Sequence, residues 1–296
     1  MTYTFIDEDR SGYGANRPPA LARYCHALRV SESGYYRWHE RQRHPARRTI
    51  ENRRLLDEIV SIYDAHDGRY GAPRVRAELC KRGHRVGRHR IARLMHRFGL
   101  RARQIKRVRI TTRANKRHTP SPNVLAQQFG VRVPKTVWLS DTTYIRTTEG
   151  WLFLTVVMDL ASRQIVGAAM SDSLEQDGTL RAIAQAFETE HPAPGLLFHS
   201  DRGAQYTSQA TRDLLARYGA VQSMSAAGNC YDNAPMESFF KTLKYEYSNW
   251  QRFRTRDDAT QRITEFLDYY NDRRLHSALG YRTPHEWTLW YHSQAL

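Results

Sequence analysis

The sequence predicts an α/β domain with a mixed five-stranded sheet and flanking helices, preceded by an all-α basic region. Three observations carry that prediction. Residues 1–136 hold 31 Lys and Arg against 11 Asp and Glu, a net +20, whereas residues 137–296 hold 15 against 19, a net −4. The hydrophobic pattern changes from a helical period to a strand-like one at Val137. Beyond that point three strands follow one another through tight turns, and helices then alternate with strands.

The first 18 residues are polar and rich in Gly and Pro, which predicts a loose end. Residues 19–64 form a helical region. Leu21, Tyr24, Cys25 and Leu28 share one helical face, and Ser31 or Ser33 can cap a short helix running to Trp38. Arg41 to Arg48 is a basic stretch broken by Pro45. Glu51 to Asp64 is amphipathic, with Leu55, Leu56, Ile59, Val60 and Tyr63 on its apolar side. Residues 65–105 repeat the helix, turn, helix arithmetic more clearly. Pro73 suits a first turn, Val75, Leu79 and Cys80 are expected inward, and Gly83 stops the helix. A second helix sets Ile91, Leu94, Met95 and Phe98 against exposed Arg88, Arg90, Arg93 and Arg97, and ends at Gly99. Two short helices with a basic second one suit the major groove of DNA. Residues 69–117 hold 18 Lys and Arg against Glu78 alone, a density that suits a phosphate backbone. Spacing does not sort base contacts from phosphate contacts. Lys106 to Pro122 has no apolar period, so residues 106–136 read as a basic interdomain linker, with Lys106 and Arg107 able to track a DNA backbone.

Residues 137–296 supply the sheet and a helical C-terminal tail. Val137 to Ile145, Trp151 to Leu160 and Gln164 to Met170 are the meander strands. A helix from Glu175 to Glu188, a short strand at Leu196 to Phe198, a helix from Thr207 to Tyr218 and a strand at Val221 to Met224 follow. Long helices are expected over Asp232 to Tyr247 and Asp257 to Asn271.

Composition narrows the function classes. Hydrophobic residues make up 40% of the chain, enough for real cores. No run approaches the ~18 apolar residues of a membrane span, and none near the N-terminus reads as a signal peptide. Cys25, Cys80 and Cys230 make neither a disulfide framework nor a metal knuckle, as expected of a reducing cytoplasm.

Three carboxylates stand out in the acidic half. Asp141 lies mid-strand, where an ionised side chain is costly unless it has a partner. Asp201 follows the apolar strand in Leu196-Leu-Phe-His-Ser-Asp-Arg-Gly203, and ligands gather at the carboxyl ends of strands in open α/β sheets. Glu237 opens a helix announced by Asp232-Asn-Ala-Pro235. Carboxylates converging from separate elements suit magnesium, which takes a few carboxylate oxygens together with water and phosphate oxygens. Asp159 reads instead as a turn cap, and Asp232 as a helix cap.

His199-Ser-Asp-Arg-Gly-Ala-Gln-Tyr206 and Gly228-Asn-Cys-Tyr-Asp-Asn-Ala-Pro-Met-Glu237, running on to Glu246, resemble the DDE transposases of bacterial insertion sequences. The similarity is to the IS-three family, within the retroviral-integrase superfamily. Thirty-five residues separate Asp201 from Glu237, as in that family. Tyr70 to Leu100 and Tyr270 to Pro284 match it as well. The resemblance implies a ribonuclease-H-like core in which Asp141, Asp201 and Glu237 hold two Mg²⁺ or Mn²⁺ ions. It implies nicking of double-stranded DNA at the element's ends and attack of the freed 3′-hydroxyl on target DNA. It also implies an oligomer on DNA and a bacterial, nucleoid-associated location. Lys244, seven residues after Glu237, would meet a phosphate, and Lys241 shares its face. A solvated charge is the other reading of Lys244. His199 is either a core histidine or a partner of Asp201, with Arg202 and Asn233 as further outer-sphere candidates. Arg274 and His276 match the family's tail, and packing or DNA contact both suit them. The histidines lack the spacing of an integrase zinc site, so no zinc is expected. No sustained heptad run appears, which leaves room for fusion with an upstream reading-frame product. A non-catalytic DNA-binding regulator and a ribonuclease-H-type nuclease are the alternatives.

Overall fold

The computed structural model describes residues 2–13, 19–103, 121–173, 176–226 and 230–294. The chain divides into two compact units, Met1–Arg101 and Ala102–Leu296.

The first unit is helical: α1 Thr2–Ser11, α2 Leu21–Ala27, α3 Glu32–Arg43, α4 Arg47–Ala65, α5 Ala72–Lys81 and α6 Arg88–Arg97. The start of the chain is therefore not a loose end. Ile6 of α1 is fully buried and packs with Leu21, Cys25 and Tyr35. Polar ties escape a hydrophobic-period reading, and here they dominate: Tyr35 donates to Asp7 at 2.7 Å and Tyr24 to Asp9 at 2.5 Å. In α4 the buried stripe is Leu55, Ile59 and Ile62, while Leu56, Val60 and Tyr63 are half-buried on its flank. In α5 and α6 the buried residues are Val75, Leu79, Ile91, Leu94 and Met95. Cys80 and Phe98 are exposed, contrary to expectation. Cys80 lies one residue past the stripe, and Phe98 is the C-cap residue, where the helical face has ended. Gly83 and Gly99 take positive φ, 86° and 71°, and stop their helices in the left-handed conformation that glycine adopts without strain.

The second unit carries β1 Val137–Thr147, β2 Gly150–Asp159, β3 Ile165–Ser171, α7 Gln176–Glu190, β4 Leu197–Ser200, α8 Ala204–Thr207, α9 Gln209–Arg217 and β5 Val221–Met224. α10 Ala234–Thr242, α11 Arg256–Asp272 and α12 Pro284–Gln294 follow. The strand order is β3-β2-β1-β4-β5; β1, β2 and β3 pair antiparallel, and β4 pairs parallel with both β1 and β5. This is the mixed five-stranded sheet the sequence predicts. α10 and α11 cover one face through Leu139, Leu154, Val156, Met236, Phe239 and Phe266. α7 and α9 cover the other through Trp138, Val157, Ile183, Phe187, Phe198 and Leu215.

Three expectations need correction. The helix foreseen over 207–218 breaks at Ser208, whose hydroxyl accepts from the Thr211 N–H and caps α9. The long helix foreseen over 232–247 is a 3-10 turn at Cys230–Asn233, then α10, then a π turn at Leu243–Tyr247. The linker expected over 106–136 is only partly open to description, since its residues 106–120, Lys106 and Arg107 among them, lie outside the described residues. Residues 121–136 are bound to the second unit. The N–H groups of Val124 and Leu125 donate to the Ser223 hydroxyl, and Leu125 is buried. This later stretch carries Leu125, Phe129 and Val131, which pack on the core of the second unit.

Candidate active site

Strand register brings the first two carboxylates together. Ser140 of β1 pairs with Ser200 at the end of β4 in parallel register, and Asp141 and Asp201 are the next residues on these neighbouring chains. Parallel neighbours lie ~4.8 Å apart and residues of like parity share a face, so both carboxylates open on the same side of the sheet. Glu237 arrives from the first turn of α10, which packs on β1. Asn233, just before α10, donates to the Ser140 carbonyl at 3.3 Å and moors the helix start to the strand.

Each carboxylate keeps one oxygen occupied. Asp141 accepts from the Thr142 N–H at 2.8 Å, Asp201 from the Gly203 N–H at 2.9 Å, and Glu237 from the Lys241 ammonium at 3.3 Å. Removal from water, then the Asp201 charge, then Glu237, push the Asp141 carboxyl up to about 8, against the Thr142 N–H and the Lys244 charge. Burial also raises Asp201, opposed by the Gly203 N–H. A cation among these carboxylates would offset both the burial and the crowding. The donors are all oxygen, and the buried Oδ1 of Asn233 has no hydrogen-bond partner. Among the described residues no three acidic, histidine or cysteine side chains form a ready-made metal cage. An open set suits magnesium, which retains water and substrate oxygens in its shell.

The remaining candidates separate. Lys244 sits in the π turn, with its ammonium 4.8 Å from the centre of the Tyr144 ring and its charge felt by Asp141. π turns recur at functional sites, and this one changes the phase with which residues after Leu243 leave α10. Lys241 is paired to Glu237. His199 is a core histidine, fully buried between β4 and β5, with its ring nitrogens 2.9 Å from the Ser223 hydroxyl and 3.2 Å from that of Ser225. Arg202 donates to the Ser225 carbonyl at 2.7 Å and braces the loop after Asp201. Asp232 does not cap α10, whose N-cap residue is Asn233. It accepts from Asn123, Gln127 and the Ala226 N–H, fastening the 121–127 strap beside the site. Asp159 caps its turn, accepting from the Ser162 N–H and hydroxyl. Arg274 is packed rather than presented: it donates twice to Glu246, at 2.7 and 2.8 Å, with 5% of its side chain exposed.

One residue near the carboxylates had no role in the sequence reading. Tyr206 is fully buried, its hydroxyl lies 2.8 Å from that of Ser140, and both Asp141 and Asp201 act on it electrostatically. Its place at the end of the His199–Tyr206 motif was the available signal.

Burial lowers His199 to about 4, which gives a testable pH dependence. The unfolded imidazole takes up its proton near pH 6.5 while the folded one stays neutral, so this contribution to stability is lost as pH falls from about 6.5 towards 4. Thermal melts of a His199→Asn variant are expected to show a flatter decline over that range than the native chain. Equal declines would contradict the assignment.

In the first unit, Arg48 and Asn52 of α4 face Arg90, Arg93, Leu94 and Arg97 of α6 across a cleft of about 420 Å³. Arg90 is committed within the unit, donating to Asn52 at 2.9 Å and pairing with Glu51 at 3.5 Å. Arg48, Arg93 and Arg97 have no acidic partner among the described residues. Arg88 opens α6 and is exposed.

An integrase-type catalytic domain joined to a helix-turn-helix-like region is the class that this fold and site define. Family models described as "Integrase core domain" match residues 132–230 and 218–284, and one described as "HTH-like domain" matches residues 50–108. The chain is 40% identical to the insertion element IS600 uncharacterized 31 kDa protein of Shigella sonnei, over 92% of this chain and 99% of the relative. It is 41% identical to the transposase for insertion sequence element IS904 of Lactococcus lactis, over 82% and 96%. It is 32% identical to transposase InsF for insertion sequence IS3A of Escherichia coli, over 97% and 98%. Among solved structures, the HTLV-2 integrase catalytic core domain in complex with magnesium aligns at 19% identity and TM-score 0.41, over 52% of this chain and 96% of that one. The catalytic core domain of BIV integrase aligns at 18% and 0.41, over 55% and 99%. The chain belongs to the insertion-sequence transposases of the IS3 type, and its activity class is polynucleotidyl transfer.

Proposed function

We propose that this chain nicks DNA at the ends of its insertion sequence and joins the freed 3′-hydroxyl to target DNA, using Asp141, Asp201 and Glu237 as the catalytic carboxylates. The observation that carries the reading is the convergence of Asp141 and Asp201 from adjacent parallel strands with Glu237 from the helix moored to Ser140. These three residues would hold two Mg²⁺ or Mn²⁺ ions, whose chemistry is to activate the attacking oxygen and stabilise the leaving one. The remaining work belongs to the chain. Lys244, beside Asp141, places a positive charge where a scissile phosphate must approach. Lys241 orients Glu237. The Tyr206–Ser140 pair fixes the strand under Asp141, and positioning of this kind supplies much of a phosphoryl-transfer enzyme's rate.

The first unit grips duplex DNA. Arg48, Arg93 and Arg97 line a cleft that suits a phosphate backbone, and Arg88 stands clear of it at the start of α6. Arg93→Ala and Arg97→Ala are each expected to weaken binding to all duplexes alike and to reduce the slope of log affinity against log salt by about 1. An unchanged slope would remove them from the phosphate contacts. Joining two ends to a target also calls for at least two chains on DNA, alone or fused to an upstream reading-frame product.

The function itself is tested by incubating the pure chain with Mg²⁺ and a labelled duplex carrying the element's terminal repeat. Nicked and strand-transfer products are expected, abolished by a chelator. Binding without any product would favour a regulator, and preferential cleavage of an RNA–DNA hybrid would favour a ribonuclease-H-type nuclease.

A further inference from the structure

The match to the helix-turn-helix-like model covers residues 50–108 and leaves α1, α2 and α3 outside it. Within the first unit these three helices share a hydrophobic cluster of Ile6, Leu21, Cys25 and Tyr35, with Tyr3, Tyr24, Val30 and Trp38 packed against it. α2 has seven residues, Leu28 to Ser31 make the turn, and α3 has twelve. The turn is sharply defined. Arg29 takes φ 53°, the Val30 N–H donates back to the Cys25 carbonyl at 2.9 Å, and the Ser31 hydroxyl caps α3 by accepting from the Gly34 N–H at 3.1 Å. A helix, a turn of three or four residues and a second helix are the parts of a helix-turn-helix, in which the second helix enters the major groove.

The two faces of α3 differ as that role requires. Tyr35 is buried and Trp38 and His39 are half-buried on the inner side. Ser33, Tyr36, Arg37 and Arg41 stand on the outer side, with Tyr36 61% exposed. Among the described residues neither Arg37 nor Arg41 has an acidic partner. Of the nearby acids, Asp7 and Asp9 accept from tyrosine hydroxyls and Glu40 pairs with His44 at 3.5 Å, while Glu32 stands exposed in the first turn of α3. An exposed tyrosine and Arg37 in the first half of a capped helix, with Arg41 in its last turn, suit base edges and flanking phosphates.

We infer that α2 and α3 form a second helix-turn-helix, which docks α3 in the major groove of duplex DNA at a site separate from the one held by α6. This rests on the reading of the chain as a protein that binds its element's ends. The test is hydroxyl-radical footprinting of the full chain on a duplex carrying the terminal inverted repeat of the insertion sequence that encodes it. Native protein is expected to protect two tracts. Tyr36→Ala with Arg37→Ala should erase one tract and lower affinity about tenfold or more, while Arg93→Ala with Arg97→Ala weakens the other. Arg37→Glu alone should erase the same tract as the first pair. Circular dichroism melts unchanged from the native chain would show that these exposed positions leave the fold intact. Both tracts surviving the α3 variants would overturn the inference, as would a changed oligomeric state with an unchanged footprint, which would make α3 a contact between chains. Absence of any protection by the native chain would overturn the underlying reading too, and is told apart because the α6 tract is then missing as well.

Discussion

Asp201→Asn is expected to abolish nicking and strand transfer while leaving affinity for the element's end unchanged. Loss of an outer-sphere partner of a metal ligand costs 10- to 100-fold, so loss of a ligand should cost more than about a hundredfold. The same change should stabilise the metal-free chain. Asp141 and Asp201 repel each other across adjacent strands, and the amide keeps its shape without the charge. A thermal midpoint a few degrees above native, combined with lost turnover, is the pattern of a site whose carboxylates are retained for function at the expense of stability. Strand-transfer assays and melts of the same preparation check both halves. Native-level cleavage by the pure variant would sink the assignment, and a lowered midpoint would mean that Asp201 has a structural role.

Arg274→Ala is expected to give the largest loss of stability, about 3–5 kcal/mol, because it removes both guanidinium bonds to the largely buried Glu246 carboxylate. Both side chains are nearly closed to solvent, at 5% and 13% exposure, so screening by water offers little relief. The consequence reaches the active site, since Glu246 belongs to the π turn that carries Lys244. Arg274→Lys should recover little, because a single ammonium does not reproduce two parallel bonds. Arg274→Met with Glu246→Leu should regain most of the stability by removing both charges. Denaturant unfolding measures the cost. A loss below about 1 kcal/mol for Arg274→Ala would show that the pair contributes no more than a surface bridge.

The sheet was legible because its strands are apolar runs bounded by turn residues, and because a meander followed by helix-strand alternation leaves few topologies. Asp141, Asp201 and Glu237 were legible as carboxylates at a strand's middle, a strand's end and a helix's start, and the family resemblance joined them into one candidate site. What escaped does not produce a hydrophobic period. α1 is secured by a single buried isoleucine and by hydrogen bonds from tyrosine to aspartate. The π turn has the residue pattern of the α-helix before it, and only the backbone hydrogen bonds distinguish the two. Asp232 precedes a helix as a cap would, yet its partners Asn123 and Gln127 lie more than a hundred residues away in sequence. Of the four α6 arginines expected to touch DNA, Arg90 is committed to Glu51 and Asn52 on a helix whose pairing with α6 no local pattern announces.

The proposed role of Asp141, Asp201 and Glu237 is to hold divalent ions together for DNA chemistry. Calorimetric titration of Mn²⁺ into the full chain bound to its end duplex tests it most directly. Saturable uptake of about two ions per active site is predicted, with loss of that uptake in Asp141→Asn, Asp201→Asn and Glu237→Gln. Uptake that survives all three substitutions, or no saturable uptake by the native complex, would contradict the account.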